Sequence, residues 1–171
     1  MKKTVCFLLV LTLILGICGC KPKEDPILRP VNFYYRTAQL TYGAPDGLIR
    51  AWVVESSGYE EDLLGLLNKY LKGPQDNSYH VTFPASTKLL SISFSEETAY
   101  LQLNESFSWL SGLDLTIASA CLAKTAMELT GATAICISAE NSTLDGAGMI
   151  IMDEKSILLV DTTGKERGET Q

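Results

Sequence analysis

Residues 115–130 read LTIASACLAKTAMELT and constrain the fold more than any other stretch of this chain. Ile117, Ala118, Cys121, Leu122, Met127 and Leu129 fall at helical spacing, with small residues between them, so apolar or small side chains occur nearly all round the helix. A helix of that kind has no polar face to give to water and has to lie deep against a sheet. Asp114 is a plausible cap at its start, and Gly131 stops it, since glycine accepts the left-handed backbone that ends helices.

The rest of the chain supplies strands for that helix. Residues 31–36 read VNFYYR, with Val31, Phe33 and Tyr35 on one face, and residues 48–55 read LIRAWVVE. The turn cluster YGAPDG at 42–47 separates them, so they are expected to pair as a hairpin with a long loop. Ser57, with Glu60 three residues on, forms a capping box ahead of Leu63, Leu66, Leu67, Tyr70 and Leu71 at helical spacing. Glu60, Glu61 and Asp62 near that start favour the helix dipole, and Gly73-Pro74 ends the helix. Residues 89–94 (LLSISF) and 99–103 (AYLQL) alternate around a turn at Glu96, Glu97 and Thr98. They predict a hairpin with one buried face per strand: Leu90, Ile92 and Phe94 on one, Ala99, Leu101 and Leu103 on the other. Residues 133–138 (TAICIS) read as a buried strand, and 149–152 with 156–160 as a last hairpin around Asp153-Glu154-Lys155. The order β-β-α-β-β-α-β, with this further hairpin, predicts an α+β fold: two helices packed on one face of a mostly antiparallel sheet.

The N-terminus belongs to a different kind of segment. Residues 1–20 read MKKTVCFLLVLTLILGICGC: two lysines, a short apolar run, then small residues. That pattern is a secretory signal, and the run falls short of the ~20 residues of a membrane span. Its end, Ile17-Cys18-Gly19-Cys20, resembles the bacterial lipobox, in which a cysteine after a small residue is lipidated on sulfur and becomes the new N-terminus. Gly19 before Cys20 makes Cys20 the expected lipidation site rather than Cys18, which follows the bulkier Ile17. The expected organisation is a lipoprotein signal peptide at 1–19, a Pro-rich tether at 20–30, a single domain at 31–161 and a frayed tail at 162–171. Two or more acyl chains hold a protein stably on a bilayer. The expected location is therefore the extracytoplasmic face of a bacterial cell membrane, with the lipidated cysteine as the membrane contact.

Cleavage before Cys20 leaves 152 of the 171 residues, enough for one domain with a real core. Lys+Arg number 14 and Asp+Glu 20; two lysines and no acid leave with the signal, so the net charge moves from -6 to −8. Such a balance excludes the phosphate-neutralising surface of a nucleic-acid binder. Cys121 and Cys136 sit among apolar neighbours and read as buried free thiols rather than a disulfide pair. His80 is the chain's single histidine. With no CxxC beside it, no metal site of known spacing can be drawn and no cofactor is expected.

The catalytic motifs are likewise missing. His80 has no nucleophile signature near it and reads as a loop histidine. There is no GxSxG, no phosphate loop and no GxGxxG after a strand, and Gly146-Ala147-Gly148 lacks the spacing and lysine of one. Glu60, Glu61, Glu96, Glu97 and Glu105 could serve glycoside chemistry by residue type. A helix start and a hairpin turn explain the first four better. No catalytic residue is assigned. Tyr34, Tyr35, Tyr42, Trp52, Tyr59 and Trp109 could line a binding surface. Core and edge packing is the plainer reading of each.

Three stretches in the middle of the chain resemble the GerMN domain of sporulation and spore-germination lipoproteins. LLNKYLKGP at 66–74 is similar to its helix followed by Gly-Pro. PASTKLLSI at 84–92 is similar to its proline, small or polar pair and leucine-rich strand. AYLQLNESF at 99–107 resembles its next strand, closing on a polar turn and a phenylalanine. The resemblance covers about 59–140, in one copy; residues 139–143 intervene before Asp145-Gly146 where the family's glycine turn is expected, and the C-terminal third reads as an addition. It implies a non-catalytic envelope module, similar to ring-building motifs, that associates side by side with copies of itself or with other envelope proteins. The leading expectation is thus a lipid-anchored assembly component of sporulation or germination. The alternative is a lipoprotein that binds a cell-wall fragment or germinant, and a wall hydrolase using Glu60 or Glu105 ranks last.

Overall fold

The computed structural model describes residues 29–38, 48–56 and 62–157. The signal segment 1–19, Cys20, the tether up to residue 28, the turn cluster 42–47, residues 57–61 and the stretch 158–171 lie outside the described residues. In chain order the elements are β1 (Arg29–Arg36), β2 (Ile49–Ser56), α1 (Leu63–Leu71), β3 (Leu89–Ser95), β4 (Thr98–Leu103), a short 3-10 turn (Glu105–Trp109), α2 (Gly112–Thr130), β5 (Ala134–Ala139) and β6 (Ile150–Asp153). This is the expected α+β order, with β6 as the first half of the expected last hairpin.

The strands form two sheets. β1 and β2 pair antiparallel as a ribbon, Val31 opposite Val54 and Phe33 opposite Trp52. The second sheet has the order β3-β4-β5-β6. β4 and β5 run parallel, because the chain leaves β4 and returns to β5 through α2, the crossover that parallel neighbours need. The other pairings are antiparallel.

α2 is buried nearly all round, as its composition requires. Leu115, Ile117, Ala118, Cys121, Leu122 and Ala126 are all inside. One side meets β4, β5 and β6, and β1 covers another. The β1 contact is specific: the Tyr34 N–H donates to Thr125 Oγ1 at 2.9 Å, and the Tyr34 hydroxyl and Asn32 amide both donate to the Glu128 carboxylate. Val31, Phe33 and Tyr35 pack inward as the alternation predicts. Tyr35 and Tyr70 stack at 4.9 Å and exchange bonds: the Tyr35 hydroxyl donates to the Tyr70 carbonyl, and the Tyr70 hydroxyl to the Tyr34 carbonyl.

Three local expectations need correcting. α1 begins at Leu63 under Asp62, whose Oδ1 accepts the Gly65 N–H at 2.8 Å; the capping box at Ser57 and Glu60 lies outside the described residues. α2 begins two residues before Asp114, and its first N–H, that of Gly112, is met by Asp145 from a distant loop at 2.9 Å. The apolar face expected on β3 is buried only in part, at Ile92. Ile92 and Phe94 stand opposite Leu101 and Ala99 on the core side. But β3 is an edge strand, and Phe94 lies beyond the cover of the helices at 58% exposure. The register breaks at Leu90, which is also exposed.

Candidate functional site

Two surface features combine geometry with usable chemistry. The first is the face of the four-stranded sheet turned away from the helices. Alternation sends Ala99, Leu101, Ile135, Ile137 and Met152 inward, and leaves Tyr100, Cys136 and Ile151 on the outer side. Register aligns these three in one row, Tyr100 opposite Cys136 and Cys136 opposite Ile151. Tyr100 is 41% exposed, Ile151 65% and Met149 51%. The Cys136 thiol lies beneath, its sulfur 3.2 Å from the Met149 Sδ. Burial pushes that thiol above its ordinary pKa, which lowers its thiolate fraction.

The second feature is a cleft of about 510 Å³ where the end of β1, the 80–84 loop and the start of α2 meet. Its walls are Arg36, His80, Val81, Thr82, Phe83, Pro84, Leu110, Asp114 and Ile117. The His80 N–H donates to the Arg36 carbonyl at 2.8 Å, which lays the loop along the strand end. Arg36 Nη1 pairs with Asp114 Oδ1 at 3.1 Å, while the Arg36 Nε–H is buried without a partner. Behind the cleft, burial drives the Cys121 thiol far above its usual range, against the pull of the Arg36 charge.

The structure separates most of the residues singled out by type. Cys121 and Cys136 are free and buried, as expected. Tyr34, Tyr35 and Trp52 are packing residues, whereas Trp109 is 67% exposed on the turn before α2. Glu96 and Glu97 make the β3–β4 turn, Glu105 opens the 3-10 turn, and none of the three lines the cleft. Tyr42, Tyr59, Glu60, Glu61 and Cys20 lie outside the described residues. His80 is an exposed loop residue, as read from sequence, yet it borders the cleft. Sequence reasoning missed Arg36 and Asp114, which stand 78 positions apart with no local signature. Among the described residues no three His, Cys, Asp or Glu side chains group as metal ligands, and no helix is long and apolar enough to cross a membrane.

Comparison with known proteins follows this geometry. Residues 32–145 match the Germane family, described as sporulation and spore germination. The matched span takes in the β1–β2 ribbon as well as the 59–140 stretch that carries the GerMN resemblance. Among solved structures, the chain is similar to the first GerMN domain of the sporulation protein GerM from Bacillus subtilis, at 15% identity and a TM-score of 0.53 over 74% of this chain and 95% of that one. It is also similar to the tandem GerMN domains of the same protein, at 16% identity and a TM-score of 0.53, covering 84% of this chain and 47% of that one. A lipoprotein of Clostridium perfringens described as putative matches at 18% identity and a TM-score of 0.47, over 80% of this chain and 93% of that one. At these identities the structural likeness speaks for the fold. No curated protein matches the chain.

Proposed function

The chain belongs to the Germane family of sporulation and spore germination, and on that premise we propose that it is a non-catalytic, lipid-anchored assembly component of the cell envelope in one of those processes. It is held to the extracytoplasmic face of the membrane by a lipidated Cys20. It acts by associating with copies of itself or with other envelope proteins. The observation that carries this reading is the outer row of the four-stranded sheet. Tyr100, Met149 and Ile151 gather exposed apolar surface around Cys136 on a face that none of the described helices covers. Contiguous exposed apolar surface on a water-soluble domain marks an association site, and aromatic residues and methionine are enriched where proteins meet. The acidic balance of the mature chain leaves nucleic acid out as a partner.

The test is light scattering on residues 21–171 across a wide concentration range, alone and with envelope extract. Wild-type protein is expected to gain mass with concentration or with extract. Ile151→Lys is expected to keep the fold, since an exposed substitution shifts stability by about 0.5 kcal/mol or less. It should raise the association midpoint at least about tenfold, roughly 1.4 kcal/mol. A strict monomer that captures nothing, or an Ile151→Lys variant that associates like wild type, refutes the proposal.

A further inference from the structure

The cleft beside the start of α2 has no part in sheet-face association, and its chemistry is that of a small-molecule site. Its volume of about 510 Å³ falls in the range of roughly 300–1,000 Å³ usual for ligand pockets. Val81, Phe83, Pro84, Leu110 and Ile117 supply apolar wall, beside about as much polar surface from Arg36, His80, Thr82 and Asp114. Two of those polar groups are an acid and a base side by side, Arg36 and Asp114, with Nη1 and Oδ1 at 3.1 Å.

That pairing narrows the ligand. A plain anion would meet Arg36 but also the Asp114 carboxylate, and a plain cation would meet the reverse conflict. A molecule carrying both charges on neighbouring atoms satisfies both. Nη1 is committed to Asp114, but the Arg36 side chain keeps 23% of its surface open at this cleft, so its outer N–H groups are within reach of a carboxylate. A guanidinium edge donates two parallel N–H bonds to a planar carboxylate, a match no other side chain offers. The apolar walls then suit a hydrocarbon body attached to those charges.

We infer that the cleft bounded by Arg36, His80, Phe83, Leu110 and Asp114 binds a small zwitterion with an apolar body, of the apolar α-amino acid class. The carboxylate lies on the open side of the Arg36 guanidinium. The ammonium lies on Asp114, and the side chain rests against Phe83, Leu110 and Ile117.

The test is an NMR titration of the isotope-labelled full chain in detergent, reading the amides of Arg36, Thr82, Leu110 and Ile117. The probes are alanine, leucine and phenylalanine in L and D forms, with 4-methylpentanoate and 3-methylbutylamine as leucine analogues lacking the ammonium or the carboxylate. At least one amino acid is expected to shift those amides saturably, with both single-charge analogues at least tenfold weaker. Asp114 is exposed, so Asp114→Asn leaves the fold in place. It should weaken the amino acid roughly tenfold to a hundredfold, the range for a lost charged hydrogen bond, and leave 4-methylpentanoate unchanged or tighter. Arg36→Met should abolish binding of both, with unchanged amide dispersion as its folding control. No saturable shift from any amino acid overturns the inference. So do equal affinities for leucine and its single-charge analogues, shifts confined to another surface, or an Asp114→Asn variant that binds like wild type. None of these outcomes bears on assembly through the sheet face, which is read by mass.

Discussion

Replacing Asn68 with alanine should unfasten α1 from the edge of the four-stranded sheet. The Asn68 side chain reads the backbone of Leu89 as a neighbouring strand would: Oδ1 accepts the Leu89 N–H at 3.0 Å and Nδ2 donates to the Leu89 carbonyl at 3.0 Å. The same Nδ2 also reaches the Leu64 carbonyl within the helix at 3.1 Å. Leu89 pairs with Leu103 on its other side and is buried, so water cannot readily replace the lost partner. Leaving a buried donor unmet costs about 1–3 kcal/mol, and the carbonyl adds roughly 0.5–1.5 kcal/mol. Alanine returns up to about 0.7 kcal/mol through its better helix propensity. The net loss is about 2 kcal/mol, which lowers Tm by roughly 4–8 °C in a domain of this size. Urea unfolding followed by circular dichroism, on residues 21–171, measures it. The midpoint should fall with the slope unchanged, since the exposed surface stays the same. Asn68→Asp keeps the acceptor and should lose less than alanine. A loss under about 0.5 kcal/mol for Asn68→Ala, the noise of ordinary surface changes, refutes the strand-mimic role.

Three further outcomes follow from the same structure. Burial raises the pKa values of Tyr35, Tyr70 and Cys121 above their ordinary values, so the native state holds protons that the unfolded chain releases. Their contribution is fully present at neutral pH and is lost as pH climbs past about 9 to 10; with two to three protons involved, stability should fall by roughly 3–4 kcal/mol per pH unit there, and an alkaline urea series that stays flat to pH 11 contradicts it. Glu96 holds a left-handed backbone at φ 53 in the β3–β4 turn, so Glu96→Gly should stabilise by about 0.5–1 kcal/mol despite the extra entropy of glycine, and a destabilised variant contradicts the strain argument. A palmitate analogue fed to producing cells should label the wild type and not Cys20→Ala; label that survives the substitution excludes Cys20 as the anchor.

Those parts of the fold that rest on periodicity were legible. Val31, Phe33 and Tyr35 share a buried face, Ala99, Leu101 and Leu103 another, and α2 is enclosed as its composition demands. Gly131 takes the left-handed backbone that ends α2, with its N–H on the Met127 carbonyl. What escaped has a common cause: it depends on neighbours in space. LLSISF alternates like AYLQL, but alternation cannot tell an edge strand from a central one, and only the sheet order shows that Phe94 lacks cover. Asp145 caps α2 across 33 residues, a partner no local capping rule could name. The cleft is assembled from β1, a loop and α2, so Arg36 and Asp114 had no spacing by which to be recognised, and His80 alone carried no signal.

The motif stretches deserve their resemblance for physical reasons, and those reasons limit what it implies. LLNKYLKGP contributes Asn68, which binds the backbone of Leu89 inside PASTKLLSI. AYLQLNESF contributes Asn104, whose Oδ1 accepts the Lys88 N–H at 2.9 Å and whose Nδ2 donates to the Ser86 carbonyl at 2.9 Å, within that same stretch. The three segments are thus tied to one another by side-chain amides that stand in for backbone partners, and Phe107 closes the arrangement from inside the core. A set of residues with this task holds α1, β3 and the end of β4 together whatever the outer surface does. It carries the family's fold and leaves the family's work to side chains the motifs do not include. On the readings proposed above, those are Met149 and Ile151 on the open sheet face, beside the outward Tyr100 of the third motif, and Arg36 with Asp114 in the cleft. Substitution at Asn68 or Asn104 should therefore reduce function only in proportion to lost stability, whereas Ile151→Lys and Asp114→Asn should each remove one activity from a protein that remains folded.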